Sequence, residues 1–227
     1  MKTLNFAVGE ILAKMTKKRA NEITGGLSDT AKMACKSFGI PAAECITGAI
    51  LRDVAGSTCS DCYALKGNYT RYPAVIAAQY RRFELLTRAL NDMEFRALWI
   101  KAMITLIGID SKFRWHDSGD VQSIAHLELI CDIARALPDC AFWLPTREKS
   151  IVNKHARLFA VPENLCIRVS AAMIDGDAPT AANTSTVHTN LFSLVGMPCK
   201  APDQNGECRE CRACWDKNVP NVSYKKH

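Results

Sequence analysis

Three cysteines at every third position, with a fourth a short way upstream, constrain this chain more than any other feature. The pattern is Cys199-x8-Cys208-x2-Cys211-x2-Cys214, and the run reads CRECRACW from Cys208 to Trp215. Two-residue gaps let a tight loop turn successive thiolates toward one centre. Zinc can use such gaps, but its sites are usually built from two separated pairs around a tetrahedron. Three ligands in one short run, with a fourth from elsewhere, is the pattern by which bacterial ferredoxins hold a [4Fe–4S] cube. A cube spreads four irons over more volume than a single ion, so closely spaced thiolates can reach different irons without crowding. Arg209 and Arg212 would offset the negative charge of such a cluster. Zinc is the alternative for this set.

A second set lies near the start of the chain. Cys59-x2-Cys62 is a close pair, Cys45 precedes it by a longer gap, and Cys35 is a further candidate. Three thiolates would leave one iron of a cube open to a substrate or cofactor, whereas four would close it. A four-cysteine zinc site is the alternative here too. Cys131, Cys140 and Cys166 fall within or beside apolar elements and read as small buried hydrophobes.

Composition supports metal over crosslinks. The chain has 227 residues, 48% hydrophobic and 23% charged, enough for a sizeable core without disulfides. No linker or repeat divides it, so one domain is expected. The opening MKTLNFAVGEILAKMTKK is broken by Glu10 and lacks an export signal. The most apolar stretch, FRALWIKAMITLIGI, carries Arg96 and Lys101 and is shorter than the ~20 residues a span requires. A cytoplasmic protein is expected, and there disulfides are uncommon. Eleven cysteines, an odd number, then point to metal ligation. The net charge of +6 is spread thinly, and the short runs KKR and KKH read as solvated faces, which disfavours nucleic acid as a partner.

Periodicity predicts helices over 1–20, 73–91 and 92–107, with Pro73 in the first turn of the second and Asp92 capping the third. Residues 35–67 read as a loop-rich segment. Next come a short strand followed by a polar turn in KFRWHDSGD, a helix in VQSIAHLELICDIARAL, a strand in CAFWLPTRE, a short helix after a Ser150 cap and a strand in NLCIRVSAA. Strand–helix–strand at this spacing is the signature of a parallel sheet. Residues 187–196 are expected to form the last strand, leading into the C-terminal cysteine loop.

Ligands of parallel α/β folds bind beyond the carboxyl ends of the strands. His116 and Asp117 follow the first of these strands and are expected to face a pocket. Asp120 is a candidate for the same rim, although it, or Ser118, could instead cap the next helix. Thr146, Arg147 and Ser170 end the following strands and complete the candidate substrate-binding set. His126 and His227 are given no role, and His155 and His188 are left open.

The segments CSDCYALKGNY, FRWHDSGD, FWLPTRE, IRVS and CRECRACW occur in this order from about Cys35 to Trp215. In them the chain resembles the phage gene-product-88-like family. It is more distantly similar to phage gene-product-37/68 proteins, which look like relatives of radical S-adenosylmethionine (AdoMet) enzymes. The resemblance implies an incomplete (β/α) barrel with cysteine loops at the strand carboxyl ends. It places Cys45, Cys59 and Cys62 where the AdoMet-binding cube sits, and an auxiliary cube on Cys199, Cys208, Cys211 and Cys214. The implied setting is a host-cell cytoplasm, with a small molecule or a host redox protein as partner. Three classes follow as expectations: a radical-AdoMet-type enzyme, an electron carrier or redox sensor without substrate, and a zinc-stapled binding module.

Overall fold

The computed structural model describes residues 15–30, 33 and 35–226. Helix α1 (Lys17–Thr24) starts at Thr16, whose side chain accepts from the Arg19 N–H, and stops at Gly25 with φ 82°. Most of the helix expected over 1–20 lies outside the described residues. Strands β1 (Ser28–Asp29) and β2 (Lys36–Phe38) follow, then helices α2 (Ile46–Arg52), α3 (Asn68–Arg71), α4 (Pro73–Asn91) and α5 (Met93–Ile107). The next stretch holds β3 (Lys112–Trp115), α6 (Ile124–Ala136), β4 (Ala141–Thr146), α7 (Lys149–Ala156) and β5 (Leu165–Ile174). The chain finishes with β6 (Thr184–His188), β7 (Met197–Pro198) and β8 (Asn221–Lys225).

Local chemistry explains several boundaries. Pro73 occupies the first turn of α4, where its missing N–H costs nothing. The Asp92 carboxylate accepts from the Glu94 and Phe95 N–H groups and starts α5, as the sequence predicts. Two expected caps are corrected. Ser123, not Asp120 or Ser118, accepts from the His126 N–H at the start of α6. Glu148 occupies the N-cap of α7, and Ser150 lies inside that helix.

The eight strands form one open sheet in the order β1-β2-β3-β4-β5-β6-β8-β7. Every pairing is parallel except β1 with β2. Three strand expectations change. The segment read as loop contains β2, which pairs with β3 and supplies the early strand. The strand expected over 187–196 is β6, which ends at His188 and is followed by a short turn of helix at Leu191–Ser193. The last strand is β8, beside β6.

From β2 to β6 the strand order never reverses. Right-handed crossovers then place the connecting helices on one face. The registers Phe38↔Trp115 and Phe113↔Phe142↔Leu165 line that face. They pack into one core with Leu86 of α4, Trp99 and Met103 of α5, and Leu127 and Ile130 of α6. The registers Ser37↔Arg114↔Trp143↔Cys166 and Pro145↔Arg168 point to the opposite face, which the C-terminal loop covers.

Arg168 holds that loop. Its side chain is fully buried. Nε donates to the Cys214 carbonyl at 2.9 Å, and Nη2 donates to the carbonyls of Ala213 and Asp216, each at 2.7 Å. Nη1 donates to the Val219 carbonyl at 2.9 Å and the Thr184 carbonyl at 3.3 Å. One rigid guanidinium thus gathers the turn that carries Cys214. Trp215 adds an indole N–H donated to the Phe113 carbonyl at 2.9 Å.

Replacing Arg168 by Met strands these carbonyls in a buried site. The expected loss is on the order of 3–5 kcal/mol, read as a lower urea midpoint. Proteolysis should accelerate within 199–219. An unchanged midpoint and cleavage pattern would sink this account of the loop.

Candidate metal centre

The N-terminal thiols are pinned across the carboxyl ends of β3, β4 and β5. Glu148, just past β4, accepts from the Thr47 N–H and hydroxyl, both at 2.7 Å, which fixes α2 immediately after Cys45. Gln122 donates to the Glu44 carbonyl at 3.2 Å. Thr58 donates to the Ala171 carbonyl at 3.1 Å, and Ser57 bridges to Met173. Ser57 Oγ also accepts from the Cys59 and Ser60 N–H groups, which shapes the turn from Cys59 to Cys62.

Gly48 faces two of these sulfurs. A Cβ placed there would sit 2.8 Å from Cys45 Cβ, 3.6 Å from Cys45 Sγ and 3.7 Å from Cys59 Sγ. A side chain there would clash with Cys45, so glycine lets the α2 backbone pack closely beside both thiols. Burial pushes Cys45 up to about 12, with the Asp120 charge adding and Arg147 opposing. Burial also raises Cys59, again against Arg147. Cys62 acts on both. A bound cation would reverse these shifts, because it stabilises thiolate.

Three of the predicted rim residues, Asp120, Thr146 and Arg147, join this set. Asp120 Oδ1 accepts from the Thr146 hydroxyl at 2.6 Å and the Val121 N–H at 2.7 Å, and Oδ2 accepts from the Arg147 N–H at 2.8 Å. Arg147 Nε donates to the Thr58 hydroxyl at 2.7 Å. The Asp120–Thr146–Arg147–Thr58 network therefore underlies Cys45 and Cys59. The other rim residues lie apart from it. Asp117 Oδ2 accepts from the Tyr69 hydroxyl at 3.2 Å, and its carbonyl accepts from Tyr63 at 2.7 Å. His116 has φ 56°, and its ring meets His126 of α6 edge-on at 5.2 Å. Burial holds His116 well below the ordinary imidazole range. Ser170 bonds Ser185 at 3.0 Å across β5 and β6.

At the other end, Cys199, Cys208, Cys211 and Cys214 line one cavity, walled also by Lys200 and Val222. Cys199 is fixed by its N–H to the Ser223 carbonyl at 2.8 Å. Arg209 turns the chain with φ 42° directly after Cys208. The Tyr224 hydroxyl lies 3.2 Å from Cys214 Sγ. Burial pushes Cys214 up to about 12, and the Tyr224 hydrogen bond opposes it. Cys35 is pushed to about 11 by burial, and the thiol acting on it most is Cys208, alongside Arg114 and Arg212.

All eleven cysteines are free thiols. Cys140 and Cys166 are buried, as expected. Cys131 is buried too, but it has company that sequence reading missed. Its Sγ lies 3.8 Å from His155 Nε2, which is 2.6 Å from a Glu128 oxygen. Among the described residues this is the one group of three His, Cys, Asp or Glu ligand atoms lying within 4.8 Å of one another. Glu128 and Cys131 share a helix face by their spacing, which was visible. His155 comes from α7, and that approach was not. Arg135 takes the second Glu128 oxygen at 2.8 Å, so the cluster is already hydrogen-bonded without a metal.

Asp120 generates a pH prediction. Burial lifts its carboxyl from the ordinary 3.8 to about 6, against its three hydrogen bonds. The folded state therefore binds this proton more tightly than the unfolded chain does. Stability should fall as pH rises from about 4 to about 6, by up to about 3 kcal/mol, and stay reduced above that window. Asp120→Asn should flatten this slope in urea unfolding of the metal-free protein. An identical slope in the variant would disprove the assignment.

The sequence matches the family model described as Gene product 88 over residues 10–217. No curated protein matches the chain, and no solved structure does. The more distant resemblance to radical-AdoMet enzymes gains nothing from these comparisons. The match covers nearly the whole length, and the chain belongs to the Gene product 88 family.

Proposed function

We propose that this chain is a phage-type iron–sulfur protein with two cysteine-held clusters, acting in the host cytoplasm. Cys45, Cys59 and Cys62 would hold one cluster, and Cys199, Cys208, Cys211 and Cys214 the other. The observation that carries this reading is the convergence of the four C-terminal thiols on one cavity. The spacing of the C-terminal cysteines along the sequence, three in one short run and a fourth apart, supports a cluster over a single ion.

The N-terminal set is taken here as the three thiols Cys45, Cys59 and Cys62. Three ligands leave a position for a small molecule, which favours a radical-AdoMet-type enzyme over a closed electron carrier. Such a cluster would supply one electron. Asp120 and Arg147 lie beside Cys45 and Cys59, where they could orient a bound molecule. The unreversed strand order from β2 to β6, with helices on one face, is compatible with an incomplete (β/α) barrel.

Protein purified without oxygen should be brown and contain iron and sulfide. Zinc without iron would overturn the proposal in favour of a stapled binding module. Cys211→Ala should remove the C-terminal share of the iron and lower the melting temperature, because metal binding and folding are coupled. Reduction with dithionite in the presence of AdoMet should release 5′-deoxyadenosine. Iron without that product, and without a spectral response to AdoMet, would favour the carrier.

A further inference from the structure

Glu128, Cys131 and His155 belong to neither thiol set and meet where α6 packs on α7. Cys131 and His155 are fully buried, and Glu128 is nearly so. Glu128 and Cys131 stand one turn apart on α6 and face the same side. His155 enters from the last turn of α7. Its Nε2 lies 3.8 Å from Cys131 Sγ and 2.6 Å from Glu128 Oε2, and all three ligand atoms lie within 4.8 Å of one another. Tetrahedral zinc held by sulfur, nitrogen and oxygen would set these atoms roughly 3.3–3.6 Å apart, so shifts of about 1 Å would admit the ion. The carboxylate is already aimed. Arg135 Nη1 donates to Glu128 Oε1 at 2.8 Å, which leaves Oε2 to face His155. Asp132 shares that guanidinium at 2.9 Å and offsets its charge. Outer contacts of this kind orient metal ligands. His155 Nδ1 is buried with no hydrogen-bond partner among the described residues, so no neighbour fixes which ring nitrogen carries the proton.

We propose that Glu128, Cys131 and His155 bind one zinc ion that staples α6 to α7. A donor set of one sulfur, one nitrogen and one oxygen suits this borderline divalent ion. Binding replaces the hydrogen bond between His155 and Glu128. The thiol proton leaves to solvent, the ring proton moves from Nε2 to Nδ1, and Sγ, Nε2 and Oε2 take the ion. The hydrogen-bonded cluster is then the metal-free state of the same site. Three protein ligands leave the fourth corner of the tetrahedron to water. The inference stands apart from the iron–sulfur reading, because it uses none of the thiols assigned to clusters.

The test is zinc and iron analysis of the full chain, purified without oxygen from zinc-supplemented cells, beside its Cys131→Ser and His155→Gln variants. The parent should carry zinc, and each variant should lose one equivalent per chain with its iron unchanged. If either variant fails to fold, Glu128→Gln, which keeps the side-chain shape, carries the same expectation. X-ray absorption at the zinc edge of the parent should show one sulfur among nitrogen and oxygen ligands. Four sulfurs would place the zinc in the cysteine loops and overturn the site. Equal zinc in the parent and in His155→Gln would overturn it too, as would a parent without zinc. None of these results touches the iron–sulfur reading, which fails separately if iron and sulfide are missing from the same preparation.

Discussion

The guanidinium of Arg168 organises the half of the molecule that has no helical core of its own. A buried cation is costly unless its donors are satisfied. Here the partners are carbonyls of Ala213, Cys214, Asp216 and Val219 from one loop, and of Thr184 from a neighbouring strand. No regular hydrogen-bond ladder would order that loop by itself. A planar fork with five donors can gather several carbonyls in a way a lysine ammonium cannot. The position of Cys214, and through it the geometry of the C-terminal thiols, follows from this clamp.

The sheet separates two kinds of physics. On one face, parallel strands and helices bury Phe38, Trp99, Trp115 and Phe142 in an apolar core that needs no cofactor. On the other, Arg114, Arg168, Trp143 and Tyr224 meet loops rich in thiols. Burial raises most of these thiols above their ordinary range, so a dry site would keep them protonated. Basic residues partly oppose that effect, Arg147 at the N-terminal set and Arg114 near Cys208 and Cys214.

The loop segment around Cys45 is ordered by a different device. Thr47, Thr58 and Gln122 tie it to groups at the ends of three strands, using side-chain hydrogen bonds in place of apolar burial. None of the α2 residues is fully buried. The thiols are thus presented at the rim by polar ties, while the strands beneath stay rigid through their core.

The sequence by itself determined the central strand–helix–strand run, the helix starts at Pro73 and Asp92, and the division of thiols into an early and a late set. Each depends on local signals: apolar period, capping chemistry and ligand spacing. Tertiary structure decided the rest. Strands as short as Lys36–Phe38 carry too few residues for a readable period, and β8 gains its place only by pairing with β6 and β7. Asp120 looked like a helix cap because its nearest partners in sequence suggested one. Two of its three bonds instead come from Thr146 and Arg147 at the end of the next strand. His116 turned toward α6 because its backbone adopts a left-handed φ that no period predicts. Trp215 reached the Phe113 carbonyl across much of the chain's length because the sheet sets side by side strands that the sequence keeps far apart.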